Sequence, residues 1–332
     1  MTALGFPILR AADIPETSGE QWLIESLWSR RAVGVIGGCP KLGKSWLALD
    51  LAVSVASGTP ALDRFRVADP GPVLLFPAED PIASVRARLE GISRHRGLDF
   101  SRLDVWLVQT PVIRLDSLED RESLRSAVRD LQPRLLILDP LIRCHAADEN
   151  SATEVARVLS FLRALEREHG VAVLVVHHAR KNGAPDPGQG LRGSSEIYAW
   201  GDCYLYLRRR RSLELAIEHR SAVAPEPVKL KLETDADENT FLIVDESPPA
   251  ESDLASRIVE LLREKAPLTR EGIRSELAVR NQSVGQTLAL LVHQGRIEKT
   301  SSGFQIKGAG PTAESTAKPV RPIPALCWGA TP

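Results

Sequence analysis

Residues Gly38–Ser45 read GCPKLGKS, which has the form G-x-x-x-x-G-K-[ST], and their surroundings restrict the fold more than any other part of the chain. The apolar run before them, AVGVIGG, reads as a strand, and WLALDLAVSVASG after them reads as a helix. Glycines between a strand and a helix let successive backbone N–H groups close around an anion at the helix N-terminus. Gly38, Cys39, Pro40, Lys41, Leu42, Gly43, Lys44, Ser45 and Trp46 are therefore the candidate phosphate cradle. In such a cradle Lys44 reaches the terminal phosphates and the Ser45 hydroxyl binds Mg2+. The alternative, a glycine-rich turn with no ligand, leaves the strand–loop–helix setting unexplained.

A strand–loop–helix unit needs further strands beside it. PVLLFPAED, VWLVQT, RLLILDP and VAVLVVHH are nearly continuous in Val, Leu and Ile, which suits strands of a parallel sheet buried on both faces. Helical patterns lie between them. DPIASVRARLEGISRHRG opens with Asp80 as a possible N-cap and Pro81 at the first helical position. SATEVARVLSFLRALEREHG opens on a capping-box pattern, Ser151 with Glu154, and stops at Gly170. This alternation predicts an α/β domain with a mostly parallel sheet and helices on both faces.

After Gly190 the pattern changes to alternation in twos, in CYLYLRRRR, SLELAIEHR, PVKLKLE and TFLIVDE, which predicts an antiparallel extension of the sheet. SPPAESD marks a linker. The expected organisation is a lead-in segment over 1–31, the α/β domain over 32–246, a small helical domain ending in a hairpin over 252–307, and a Pro/Ala-rich tail, expected to be disordered, over 308–332.

Bulk composition sets limits on partners. With 43% hydrophobic and 26% charged residues the chain belongs to the soluble globular class. A net charge of −1 gives no global field for nucleic acid, although a local basic stripe would suffice. The four cysteines, Cys39, Cys144, Cys203 and Cys327, show neither CxxC pairs nor metal-ligand spacing, as expected of thiols in a reducing compartment. No apolar run approaches the ~20 residues of a membrane span, and the N-terminus lacks a basic segment followed by an apolar one. The expectation is a soluble, cytoplasmic protein with no membrane partner.

The other strand ends carry polar groups toward the cradle. Asp139, at the end of the apolar run in RLLILDP, is the candidate metal-binding carboxylate; the alternative is a turn or helix cap. LLFPAED ends in Glu79 and Asp80, at the sheet edge where open α/β sheets bind ligands. Glu79 is the candidate for polarising an attacking water; the alternative is that both acids cap the next helix. His177 and His178 end the third strand on opposite faces, so only one can face a nucleotide. A histidine there could sense a phosphate, or be a satisfied core residue.

Taken together, WLIESLW, GGCPKLGKSWLALDLAVSVASG, VLLFPAEDP, LLILDPL, VLVVHHARK and LRGSS occur in the order seen in RepA-type ATPases of the RecA/DnaB superfamily. The chain resembles this group, which includes hexameric plasmid replication helicases, from about Gln21 to Glu233. The resemblance implies a RecA-like P-loop NTPase core that binds ATP with Mg2+. It assigns nucleotide and metal to Lys44 and Ser45, the Walker B acid to Asp139, the catalytic carboxylate to Glu79 and the γ-phosphate sensor to His178. It also implies a homo-oligomer, hexameric in the plasmid helicases, in which a neighbour inserts an arginine finger into each site.

Here the chain departs from the plasmid helicases, which carry an arginine ten residues beyond the Arg of RGSS. Counted from Arg192, this chain has Asp202 there. The DnaB-like branch uses a K-x-R pattern on a later strand, and EHR falls in a similar place, with Glu218 for the Lys and Arg220 retained. Arg220 is thus the candidate trans-acting finger; the alternative is that it pairs with a carboxylate at the strand end.

The resemblance further implies nucleic-acid-contacting loops in PLIRCHAADEN and ARKNGAPDPGQGLRGSS, with Arg180, Lys181 and Arg192 available for phosphates. Few aromatics lie there, so electrostatic contact would dominate over stacking. The RRRR run from Arg208 to Arg211 reads as a hairpin turn or a further contact. The last domain, helix–helix–helix–hairpin, is similar to a winged helix-turn-helix, whose third helix would present Arg280, Asn281, Gln282, Ser283 and Gln286 to bases. A protein-interaction role for it is the alternative. Two functions fit: a Mg2+- and ATP-dependent oligomeric motor, a RepA-like helicase acting on single-stranded DNA with duplex as a second partner, or a nucleotide-gated DNA-binding switch that does not unwind. A scaffold without turnover fits least with Lys44, Ser45, Glu79, Asp139 and His178 all present.

Overall fold

The computed structural model describes residues 9–14, 21–146, 151–178, 195–210, 212–246, 253–277, 279 and 281–307. It divides into two units, Met1–Glu246 and Ser247–Pro332. The expected tail over 308–332, Arg180, Lys181, Arg192 and Arg280 lie outside the described residues. Among the described residues no helix is long and apolar enough to cross a membrane.

The first unit runs β1 (Trp22–Ile24), β2 (Trp28–Ser29), β3 (Val33–Gly38), α1 (Lys44–Ser57), β4 (Val73–Pro77), α2 (Ile82–His95), β5 (Val105–Leu107), α3 (Leu118–Leu131), β6 (Leu135–Asp139), α4 (Ala152–His169), β7 (Ala172–His178), α5 (Ser195–Trp200), β8 (Cys203–Arg209), β9 (Leu213–His219), β10 (Val228–Thr234) and β11 (Thr240–Val244). Nine strands form one sheet in the order β11-β10-β9-β8-β3-β7-β6-β4-β5. The stretch from β8 to β5 is parallel, and β8 to β11 form the antiparallel extension.

Alternation along the central strands feeds two cores. Ile36, Leu75, Ile137 and Leu174 point to the face covered by α1 and α2, while Val35, Leu74, Leu138 and Val175 point to the face covered by α3 and α4. Each such buried side chain contributes about 1.5–3 kcal/mol. The β1–β2 hairpin belongs to the first core, with Leu23, Ile24, Leu27 and Trp28 fully buried.

Three local expectations differ from the structure. The VWLVQT run is the sheet's edge strand β5, only half-buried, with Trp106 52% exposed. Pro81, not Asp80, is the N-cap of α2, and Asp80 instead pairs with Arg88 two turns along. Ser151 does take the N-cap position of α4, but its side chain makes no capping hydrogen bond; the helix ends at Gly170 in the left-handed region, as its residue type suggests.

The second unit has its own core. It comprises α6 (Asp253–Lys265), α7 (Arg270–Leu277), α8 (Asn281–His293) and the hairpin β12 (Ile297–Thr300) with β13 (Gly303–Ile306). Ile258, Leu262, Ile273, Val284, Leu288, Leu291 and Ile297 are buried together. The Thr269 hydroxyl accepts the Gly272 N–H at 3.1 Å at the start of α7. On α8, Gln286 is exposed.

Candidate nucleotide-binding site

The parallel strands bring the polar ends together. Gly38 at the end of β3 is the register partner of His178 on β7, and Pro77 on β4 is the partner of Asp139 on β6. Glu79 and Asp80 follow two and three residues after Pro77. The candidate residues of the cradle, Asp139, Glu79 and His178 thus converge on one sheet edge from four separate segments.

The loop is already folded around its lysine. Gly43, at φ 87°, is the N-cap of α1, and Lys41 also takes a positive φ of 64°. Lys44 is buried, and its Nζ donates to the carbonyls of Gly38 at 3.0 Å and Cys39 at 2.9 Å. Burial lowers its pKa, opposed by the charges of Asp139, Cys39 and Glu79. The first amides of α1, those of Lys44, Ser45 and Trp46, have no helical acceptors, which suits an anion. Cys39 is half-buried, Pro40 and Lys41 are exposed, and Leu42 and Trp46 pack against the core. The Arg88 guanidinium lies 5.3 Å over the Trp46 ring while it pairs with Asp80.

Beside the loop, Ser45, Glu79, Asp80 and Asp139 line a cleft of about 60 Å3. Burial pushes the Asp139 carboxyl up to about 6, against a hydrogen bond from Ser45; Asp80 raises it further, Lys44 opposes, and Glu79 adds to the rise. A hydroxyl and carboxylates are the hard oxygen donors Mg2+ prefers, and a buried carboxylate among like charges is a place a cation relieves. Among the described residues no three His, Cys, Asp or Glu side chains cluster to hold a metal by themselves. That accords with Mg2+ at phosphates, which takes one or two protein ligands. Ser45 and Asp139 are the residues that fit it.

Glu79 is 44% exposed and accepts from Arg143 Nε at 2.9 Å. Arg143 is a partner that sequence reasoning missed; it lies 64 residues away, in a short turn after β6. His177 is buried at 2% exposure and His178 is half-buried, the opposite-face arrangement expected of neighbours on a strand.

The match to known proteins completes this picture. The model of the AAA domain family AAA_25 matches residues 7–184, more than half of the chain. The chain belongs to the AAA domain family. Among solved structures, this AAA domain protein is similar to the ATPase domain of G40P, with a TM-score of 0.50 and 17% identity over 65% of this chain and 86% of that one. It is equally similar to a DnaB-like replicative helicase whose structure describes its interactions with primase, with a TM-score of 0.50 and 17% identity over 64% of this chain. It spans 59% of that helicase chain. The fold is therefore a RecA-like α/β core.

Arg220 does not belong to the chain's own phosphate edge. Strand β8 runs parallel to β3, Gly34 pairing with Cys203 and Gly38 with Leu207, and Cys203 pairs with His219 on β9. Arg220 follows His219, so it stands at the Gly34 end of the sheet, about 13 Å along β3 from Gly38 at ~3.3 Å per residue. Its Nη1 lies 3.2 Å from Asp202 Oδ1. Pairing with a carboxylate at the strand end, one of the two readings of Arg220, is thus what the single chain displays. Of the RRRR run, Arg208 and Arg209 lie on β8, and Arg208 pairs with its cross-strand partner Glu214 on β9 at 2.9 Å. The side chains of Asn281, Gln282 and Ser283 lie outside the described residues.

Proposed function

We propose that this AAA domain protein is a Mg2+-dependent ATP hydrolase that works as a homo-oligomer on DNA, as a RepA-like motor of a plasmid or mobile element. The observation that carries the reading is the convergence of the phosphate loop, Asp139, Glu79 and His178 on one sheet edge, with Ser45 and Asp139 lining one cleft beside it. Lys44 and the first amides of α1 grip the β- and γ-phosphates. Mg2+, held by Ser45 and Asp139, would neutralise charge building on the phosphate oxygens. Glu79 orients the attacking water and takes its proton, and His178 meets the γ-phosphate from β7.

Arg220 acts in trans in this reading. A residue at the far end of the sheet cannot serve its own P-loop, whereas a second copy docked against that edge receives it. Arg180, Lys181 and Arg192, in the segment after β7, are proposed to hold DNA phosphates, with single strands preferred. Residues 252–307 are proposed to be a winged helix-turn-helix that contacts duplex through the N-terminal half of α8.

The second reading is a nucleotide-gated DNA-binding switch. It is favoured by Asp202, which stands in the plasmid helicases' arginine position, and by the separate core of the second unit. Steady-state ATP hydrolysis without DNA, with single strands and with duplex, beside K44A, separates the two. Stimulation by single strands that disappears in K44A supports the motor; hydrolysis indifferent to DNA refutes it in favour of the switch.

A further inference from the structure

At the sheet edge away from the phosphate loop, three side chains gather on the last carbonyls of α5. Arg163 Nη2 donates to Trp200 O at 2.5 Å, Arg220 Nη2 donates to Ala199 O at 2.5 Å, and the Tyr204 hydroxyl donates to the carbonyl of Tyr198. The end of a helix leaves such carbonyls without helical partners, and these groups satisfy them.

Asp202 joins the two arginines. Its carboxylate accepts from Arg163 twice, Nη1 to Oδ2 at 2.5 Å and Nη2 to Oδ1 at 3.1 Å, and its Oδ1 also meets Arg220 Nη1 at 3.2 Å. Its Oδ2 accepts the Val33 N–H at 3.2 Å. The backbone is fixed as well: Asp202 N donates to Val33 O at 2.7 Å, and Arg220 N donates to Asp202 O at 2.8 Å. Asp202 is therefore tied to β3 by its carboxylate and backbone and to the residue after β9 by its carbonyl, while Arg220 keeps a 55% exposed side chain.

We propose that Asp202 is the positioning residue for Arg220, holding its guanidinium at this edge in the orientation in which the nucleotide phosphates of a second copy meet it. The proposal rests on the trans-acting reading of Arg220. The division of the carboxylate decides between orienting and capturing. Its two-pronged face, the strong geometry for a guanidinium, is given to Arg163. Arg220 receives a single contact there and one from Ala199 O, which leaves most of its five N–H donors for a phosphate. A long, flexible side chain fixed beforehand loses less freedom when the transition state forms.

The test is steady-state ATP hydrolysis by the oligomer of D202N, R220A, the double variant, and mixtures of each single variant with K44A subunits. Asparagine keeps an oxygen for the Val33 N–H and for Arg163. D202N is expected to lower kcat by on the order of 10- to 100-fold, with KM for ATP changed by no more than about twofold. The double variant is expected to be no slower than R220A, since a residue acting only through Arg220 has nothing left to position. D202N mixed with K44A should regain activity, because the K44A subunit brings an intact Asp202–Arg220 pair to its neighbour's intact loop.

An unchanged or raised kcat in D202N, or losses that add in the double variant, overturns the proposal. If R220A mixed with K44A stays inactive, the trans-acting reading itself fails; if that mixture recovers and D202N mixed with K44A does not, only the positioning role fails. Should D202N melt below the assay temperature, D202E carries the same cycle: loss non-additive with R220A upholds the proposal and additive loss removes it.

Discussion

Glu79 and Arg143 meet across the ends of β4 and β6, Nε to Oε1 at 2.9 Å, and the candidate base is thereby turned toward a guanidinium. Both side chains are substantially exposed, 44% and 63%, and an ion pair of that kind is worth about 0–1 kcal/mol. It opens at little cost when phosphates enter, so Glu79 is available for water. E79Q is expected to lower kcat on the order of 10²-fold or more while ATP still binds. R143A should leave the unfolding free energy within about 1 kcal/mol of the parent. ATP binding measured by calorimetry and turnover by phosphate release check the first, and urea unfolding checks the second; an E79Q protein with parental turnover removes Glu79 from the chemistry.

Lys44 fills its own loop in the same structure, with Gly38 O and Cys39 O as acceptors. On the proposed ATP-binding reading, phosphates draw the ammonium away from those carbonyls and cover Cys39. Mg·ATP is therefore expected to slow alkylation of Cys39 by iodoacetamide, and K44A to lose that protection. Peptide mapping by mass spectrometry reads Cys39 apart from Cys144 and Cys203, which are buried. Equal alkylation with and without Mg·ATP in the parent protein would show that the nucleotide does not cover the loop.

The loop and the central strands were legible because their signals are local. A strand–GCPKLGKS–helix unit needs no distant partner to be read, and strands covered on both faces must be apolar throughout. Edge strand β5 has the same look but one side uncovered, a property of sheet order that no local pattern carries. Asp80 reads as a cap until Arg88 draws its carboxylate away. Asp202 meets Arg163 across 39 residues, and the pairing exists only because α5, just before Asp202, returns beside α4. Gly34 is outside the phosphate motif, yet a Cβ there would lie 2.0 Å from Cys203 O and 2.9 Å from the Trp28 ring, a constraint created by β8 and β2 packing alongside.

Asp50 on α1 is fully buried against Arg96 of the α2 C-cap, Nη2 to Oδ2 at 2.5 Å, and also accepts the Leu62 N–H at 2.9 Å. Burial raises its carboxyl from 3.8 to about 6, ahead of the opposing effects of Arg96 and the Leu62 N–H. Between those values the folded chain holds a proton that the unfolded chain has released. Its contribution is complete below about 3.8 and is lost as pH rises through about 6. Urea unfolding of the parent and D50N at a series of pH values isolates this group. The stability difference, parent minus variant, should fall by about 2 kcal/mol from pH 4 to pH 7. A flat difference would mean that Arg96 keeps Asp50 ionised throughout.

The second unit separates its two candidate roles along one helix. Leu290 is 51% exposed and Val292 40%, so the later part of α8 shows solvent an apolar face, with Ala289 exposed beside them. Base edges are read by hydrogen-bonding side chains, and Gln286, one turn earlier, is such a group. If this unit binds duplex, contact must come from the first half of α8. Q286A should then weaken binding by about 1–3 kcal/mol, and L290Q should leave it unchanged. Fluorescence anisotropy with a labelled duplex at one fixed salt concentration measures both, since phosphate contacts make the affinity salt-dependent. The opposite pattern, with L290Q disruptive and Q286A silent, would place the working surface on the apolar half and make the unit a protein-docking domain.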